Sequence, residues 1–203
     1  MITMNNNQGL WVSIDGCECA GKTTLVNKIK ESYPDVLIAP EFSDSFLGKW
    51  LKNEVITTPF EVTSSVVANS LLFLSDYFEI QAQIIEPALK DGKIVISDRG
   101  FLSKLAVQFV IMEDEYDQKA KVFLESLFEL SLRPSLSIIL DTTDDIIHNR
   151  IVERCGSCDQ NRLDINKRTN DMLRYFANRL ELTHECLSFD DAEDRLKKII
   201  LNR

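Results

Sequence analysis

Gly16-Cys17-Glu18-Cys19-Ala20-Gly21-Lys22-Thr23 fits the pattern G-x-x-x-x-G-K-[ST], and what flanks it decides the fold. Upstream, Leu10-Trp11-Val12-Ser13-Ile14 is a short apolar run that predicts a strand buried on both faces. Downstream, Thr23 to Tyr33 carries Leu25, Val26 and Ile29 at helical spacing and stops at Pro34. A strand feeding a glycine-bounded loop and then a helix aims backbone N–H groups and the positive helix end at one point. That point suits a polyphosphate. Lys22 is expected to reach the β and γ phosphates of ATP, and the Thr23 hydroxyl to ligand Mg²⁺. Gly16, Cys17, Glu18, Cys19, Ala20, Gly21, Lys22, Thr23 and Thr24 are the expected ATP-binding residues. Packing alone asks for no lysine at position 22.

The same alternation continues along the chain. Val36-Leu37-Ile38-Ala39, Ile94-Val95-Ile96-Ser97 and Leu136-Ser137-Ile138-Ile139-Leu140 read as further strands, with a weaker fifth at Cys186-Leu187-Ser188-Phe189. Helical periodicity covers Val62 to Leu89, with Pro87 at a kink or in the last turn. It recurs over Leu102–Met112, Tyr116–Leu132, Asp144–Arg154, Asp164–Thr183 and Ala192–Leu201. Alternating strands and helices predict an α/β fold: a P-loop NTPase three-layer sandwich with a five-stranded parallel sheet and helices on both faces. With no repeat and no Pro/Gly/Ser linker, the 203 residues are expected to form one domain, 1–203.

Composition removes several classes of function. Lys and Arg number 23 against 32 Asp and Glu, a net charge of −9, which speaks against general nucleic-acid binding. No apolar run approaches the roughly 20 residues of a membrane span. Met1 to Gly9 is polar and lacks the apolar core of a signal peptide, so a cytoplasmic location is expected. The five cysteines, an odd number, fit reduced thiols. Four of them form two close pairs, Cys17/Cys19 and Cys155/Cys158. A metal clip or redox lock on the nucleotide site is one reading, and chance small residues are the favoured one.

A second chemical feature is Ser97-Asp98-Arg99-Gly100 at the end of the third strand. Asp98 there is suited to hold Mg²⁺ directly or through water, and Arg99 to span donor and acceptor phosphates. A plain buried ion pair is the alternative. The negative total also hides a basic island: Arg150 to Arg179 holds seven of the 23 Lys and Arg against four acids. A solvated basic helix face is the bland reading of such a run.

Taken together, the chain resembles the thymidylate kinases, a branch of the nucleoside monophosphate kinases. Asp15 to Thr23 is similar to the family's E-G-x-D-G-A-G-K-T, and Leu71-Leu72-Phe73-Leu74-Ser75-Asp76 to its L-L-F-x-A-D helix. Ile85-Glu86-Pro87-Ala88-Leu89, Gly92 and Ile96-Ser97-Asp98-Arg99 echo I-x-P-A-L-x-x-G-x-x-V-x-x-D-R-Y. Leu132-Arg133-Pro134-Ser135-Leu136 with Leu140-Asp141 follows L-R-P-D-L-x-x-x-L-D. The resemblance implies that Phe73 stacks on the acceptor base, although an apolar-helix aromatic is otherwise a core residue. It also implies that Glu18 approaches the acceptor sugar and that Arg99 contacts the acceptor phosphate. It makes about 150–163 a lid over ATP and implies a homodimer. The family takes a catalytic arginine from the phosphate loop or from the lid. Cys19 stands at the loop position, so Arg150, Arg154 and Arg162 are the candidates.

The departures all fall on the acceptor side. Tyr77 replaces the arginine that reads the thymine edge, and Gly100 replaces the tyrosine of D-R-Y, which is expected to open the acceptor side. Pro40-Glu41-Phe42-Ser43-Asp44-Ser45 stands for R-E-P-G-G-T, keeping Glu41 and losing the arginine. Val107 stands for a tyrosine. Glu41, Phe73, Tyr77 and Arg99, with Glu18, are thus the expected acceptor contacts. The function expected is transfer of the γ-phosphoryl of Mg-ATP to a nucleoside monophosphate, dTMP or a related pyrimidine nucleotide. One rival is a (deoxy)nucleoside kinase with Glu41 as base on a sugar hydroxyl. The other is a nucleotide-binding protein that has lost catalysis.

Overall fold

The computed structural model describes residues 9–58 and 60–203; the polar start, Met1 to Gln8, lies outside the described residues. Five parallel strands form one sheet in the order β2-β3-β1-β4-β5: β1 Leu10–Asp15, β2 Leu37–Ala39, β3 Ile94–Asp98, β4 Leu136–Leu140 and β5 His184–Leu187. β1 lies centrally, every residue of it buried, which accounts for its unbroken apolar reading. Its even residues, Leu10, Val12 and Ile14, face a core shared with α1 (Lys22–Ser32), α7 (Asp144–Cys155) and α9 (Phe189–Leu201). Trp11 faces the opposite core, built with α3 (Val66–Ile80), α5 (Phe101–Tyr116), α6 (Gln118–Phe128) and α8 (Gln160–Arg179). The three-layer sandwich expected from the alternation is the one observed.

Three elements depart from the sequence reading. α2 (Phe46–Thr57) falls where no helix was expected; Ser45 caps it by accepting from Gly48 N. The long helix expected over 62–89 starts at Val66 and carries a π-helical turn, Gln81–Ile85, before α4 (Glu86–Lys90). Gln81 anchors that turn, exchanging hydrogen bonds with the backbone of Leu132 at 3.2 and 3.0 Å. The fifth strand starts earlier and ends at Leu187, because Ser188 caps α9 by accepting from Asp191 N.

The turn from β3 into α5 positions the site. Asp15 Oδ1 accepts from Gly100 N at 3.0 Å, Ser103 N at 2.9 Å and Ser103 Oγ at 2.6 Å, so a carboxylate on the central strand caps α5. Its second oxygen accepts from Ser13 Oγ at 2.7 Å. A Cβ on Gly100 would lie 2.7 Å from Ser13 Cβ and 2.8 Å from its Oγ. Gly100 therefore does not open the acceptor side, as the sequence suggested. It is buried, and its missing side chain lets α5 dock on the carboxylate.

Candidate active site

The phosphate loop lies between β1 and α1. Gly21, at φ 103°, is the N-cap of α1, and Cys19 adopts φ 58°, a left-handed conformation rare for a residue with a Cβ. Lys22 is buried, and its ammonium donates to the Cys17 carbonyl. Burial, with Arg99 nearby, lowers its pKa to about 8, against the opposing pull of Asp98. The Thr23 hydroxyl donates to Asp98 Oδ2 at 2.5 Å, while Asp98 Oδ1 is buried without a hydrogen-bond partner among the described residues. An orphaned carboxylate oxygen beside a threonine hydroxyl and a phosphate loop is a donor set that fits Mg²⁺.

A cleft of about 570 Å³ runs over this loop, lined by Lys22, Thr23, Thr24, Arg150 and Arg154, with Phe189 against Gly21. A smaller cavity of about 100 Å³ opens beside it, lined by Phe42, Phe60, Phe73, Lys104, Val107 and Gln108. The two share Glu18, Glu41, Arg99 and Arg154, so these four side chains stand where the spaces meet. The donor-side cleft thus opens directly into the aromatic-lined cavity.

Each sequence candidate has a definite place. Arg99, at φ 76°, donates through Nε to Glu41 Oε1 at 2.5 Å and through Nη1 to the Gly16 carbonyl at 2.9 Å. Burial would raise the pKa of Glu41, but Arg99, Lys104 and Lys22 outweigh it and hold the carboxyl at about 2. Glu18 forms a bidentate pair with Arg162, and its backbone N–H donates to Asn166 Oδ1 at 2.8 Å. Burial alone would likewise raise its pKa; the bonds and charge of Arg162 carry it below the ordinary value. Arg150 donates to the Cys19 carbonyl at 2.9 Å. Among the described residues, no carboxylate pairs with Arg150 or Arg154. Three more arginines of the basic island are spent elsewhere: Arg168 pairs with Glu113, Arg174 with Asp141 and Arg179 with Glu125.

Phe73 borders the smaller cavity, 6.3 Å from Phe42 between ring centroids. Tyr77 does not border it. It is buried edge-on to Phe101 at 5.6 Å in the core under α5 and contacts neither cleft, so its placing among the acceptor residues is corrected. Asp76, one position earlier, turns toward the loop between β2 and α2 and accepts from Ser43 N at 3.1 Å and from its hydroxyl. No group of three or more His, Cys, Asp or Glu among the described residues is arranged to hold a metal ion, and Cys17, Cys19, Cys155 and Cys158 are free thiols. Burial raises the pKa of the thiols of Cys17, Cys19 and Cys158, which leaves them poor nucleophiles.

Sequence reasoning missed two residues. Lys104 and Gln108, on one face of α5, both project into the smaller cavity. Gln108 Oε1 accepts from Ser70 Oγ at 2.8 Å and Asn69 Nδ2 at 3.3 Å. Asn69 is in turn fixed by Val62 N at 2.9 Å and the Phe60 carbonyl at 2.8 Å. A polar pair four residues apart, just after Asp98-Arg99, was the available signal.

A phosphate loop at the carboxyl end of the central strand of a parallel sheet, opening on two adjoining clefts, defines a P-loop phosphotransferase of the nucleotide-kinase class. The thymidylate kinase family profile matches residues 14–189. A probable thymidylate kinase of Thermococcus onnurineus is 35 % identical over 144 residues, 65 % of this chain and 66 % of that protein. One of Methanosarcina acetivorans is 26 % identical over 149 residues, 73 % of this chain and 70 % of that protein. The crystal structure of a thymidylate kinase from Ehrlichia chaffeensis superposes with a TM-score of 0.67 at 19 % identity, covering 95 % of this chain and 99 % of that one, which establishes the fold. The chain belongs to the thymidylate kinase family, whose members are ATP-dependent nucleotide kinases. Among the described residues, no helix is long and apolar enough to cross a membrane.

Proposed function

We propose that this protein transfers the γ-phosphoryl group of ATP to a nucleoside monophosphate, dTMP or a related pyrimidine nucleotide. The observation that carries this reading is the meeting of the two clefts at Glu18, Glu41, Arg99 and Arg154. The backbone N–H groups of 16–23 and the α1 N-terminus cradle the donor phosphates, and Lys22 adds its charge. Thr23 and Asp98 hold Mg²⁺, which when bound neutralises charge on the donor phosphates. Arg99 lies between donor and acceptor, and Arg150 and Arg154 bring cations from α7 as the lid, about 150–163, closes and expels water. Phe73 supplies the stacking face for the acceptor base. Catalysis on this reading is positioning and electrostatics, with no covalent intermediate.

The nucleoside-kinase reading needs Glu41 as a free base. Its tie to Arg99 and its depressed pKa favour a phosphate acceptor, which needs cations and no base. ADP release with dTMP, dUMP, other monophosphates, thymidine and other nucleosides separates the readings. Turnover with monophosphates is expected; turnover with unphosphorylated nucleosides alone would overturn it, and none with any acceptor would leave a nucleotide-binding protein. A single 1–203 domain, a cytoplasmic location and a homodimer are part of the same proposal, and sedimentation velocity tests the last.

A further inference from the structure

Lys104 is buried in the smaller cavity, and among the described residues no carboxylate lies within ion-pair distance of it. Its ammonium sits 4.8 Å from the Phe42 ring centroid, 5.7 Å from that of Phe73 and 3.4 Å from the Glu41 carbonyl oxygen. Two aromatic faces and one carbonyl soften the desolvation of a cation without matching it. A methionine would fill the same volume at less cost, so packing does not account for the charge.

Its surroundings identify the missing counter-ion. Glu41 spaces two cations, pairing with Arg99 through its carboxylate and with Lys104 through its backbone carbonyl. Where the cavity meets the donor cleft, Glu18 is paired with Arg162 and Glu41 with Arg99, which leaves Lys104 and Arg154 without a paired carboxylate among the described residues, with Glu41, Asp76 and Asp98 acting on Lys104 only at longer range. A surplus of positive charge at that junction suits a phosphate dianion.

Resting on the monophosphate-kinase reading, we propose that Lys104 is a substrate-binding residue that completes with Arg99 a two-cation clamp on the acceptor's own phosphate. An ammonium is a compact donor that accepts no hydrogen bond, so it selects for an acceptor that arrives phosphorylated.

The test is Lys104→Met, with titration calorimetry of dTMP and of thymidine beside steady-state turnover of dTMP. Wild-type protein is expected to bind dTMP at least about tenfold more tightly than thymidine. In Lys104→Met, dTMP affinity falls roughly 10–100-fold, the size of a charge-assisted hydrogen bond, while thymidine affinity moves less than about threefold. The loss appears in KM more than in kcat, and Lys104→Arg recovers most of it. Equal loss for dTMP and thymidine would assign Lys104 to the base or to packing and overturn the proposal, as would no loss at all. Lys104→Gln serves with the same readouts if the methionine variant fails to fold. The two readings fail separately. Phosphate-selective binding that Lys104→Met abolishes, without turnover of dTMP, would sink the kinase assignment and leave the clamp. Turnover of dTMP with unchanged affinities in the variant would do the reverse.

Discussion

Arg162 on α8 donates through Nε to Glu18 Oε2 at 2.9 Å and through Nη2 to Oε1, tying the phosphate loop to the helix that follows the lid turn. The side chains are only 16 % and 13 % exposed, so cutting the pair strands a charge in a poorly solvated place. Arg162→Ala is expected to cost about 2–4 kcal/mol and to lower Tm by roughly 5–12 °C. The pair also sets an acid limit. Glu18 titrates below its ordinary 4.5, and Glu41 near 2, so the unfolded chain binds both protons more tightly. Their stabilisation is complete above about pH 4.5 and disappears as pH falls through the folded values, for Glu41 between 4.5 and 2. Urea midpoints measured from pH 7 down to pH 3 should fall less steeply in Glu18→Gln/Glu41→Gln; a parallel fall would remove these carboxyls as the cause.

Lys22 works in the opposite sense. Its folded pKa, about 8 against an ordinary 10.5, means that the fold disfavours its charged form. That penalty, about 3 kcal/mol, is in full force below pH 8 and is relieved as pH rises from 8 to 10.5. Lys22→Met removes the penalty and forfeits one hydrogen bond to the Cys17 carbonyl. A protein more stable by about 1–2 kcal/mol at pH 7, with turnover reduced at least about 10²–10³-fold, is the expected result of paired calorimetry and ADP-release assays. A destabilised, active variant would count against the phosphate-loop assignment.

How far the sequence carries differs by feature. β1, β3 and β4 were legible because strands buried on both faces read as unbroken apolar runs, and the phosphate loop because glycine and lysine recur at fixed spacing. α2 escaped because its first turn is held by Ser45, Ser43 and Asp76, a contact 33 residues apart in the chain. Tyr77 was misplaced because motif alignment gives a position along a helix and not what that turn packs against: one turn along the same face from Phe73, Tyr77 meets Phe101 in the core, while Phe73 reaches the cavity. Lys104 was legible only as half of a polar pair with Gln108, since a lysine in a helix is usually solvated and only the packed structure shows this one buried.

Two backbone positions test the loop geometry. Cys19 holds φ 58° with a Cβ, a conformation in which glycine has no steric cost, so Cys19→Gly should raise stability by about 0.5–1 kcal/mol. Gly100→Ala should lower it by about 1–3 kcal/mol, because the new methyl meets Ser13 at 2.7 Å and pushes α5 off its Asp15 cap. Chemical denaturation of both variants decides the matter. A neutral Gly100→Ala would mean that α5 does not dock as closely as described.

The lid arginines divide by surroundings, and that division can be read kinetically. Arg154 is exposed on α7, borders both clefts and pairs with no carboxylate among the described residues, so its charge is available to a transferring phosphoryl group. Arg150 borders the donor cleft alone and leans on the Cys19 carbonyl. Arg162 is already committed to Glu18. Arg154→Ala should therefore lower kcat by about 10²–10³-fold with Tm changed by no more than about 1 °C, the signature of a cation used in the transition state. Arg150→Ala should act mainly on KM for ATP. Arg162→Ala should act mainly on Tm, with kcat at a permissive temperature within about tenfold of wild type. Measuring kcat, KM and Tm on the three variants sorts the roles: a kcat loss larger in Arg162→Ala than in Arg154→Ala would mean that Arg162 leaves Glu18 during the reaction and that the loop–lid pair is a latch rather than a brace.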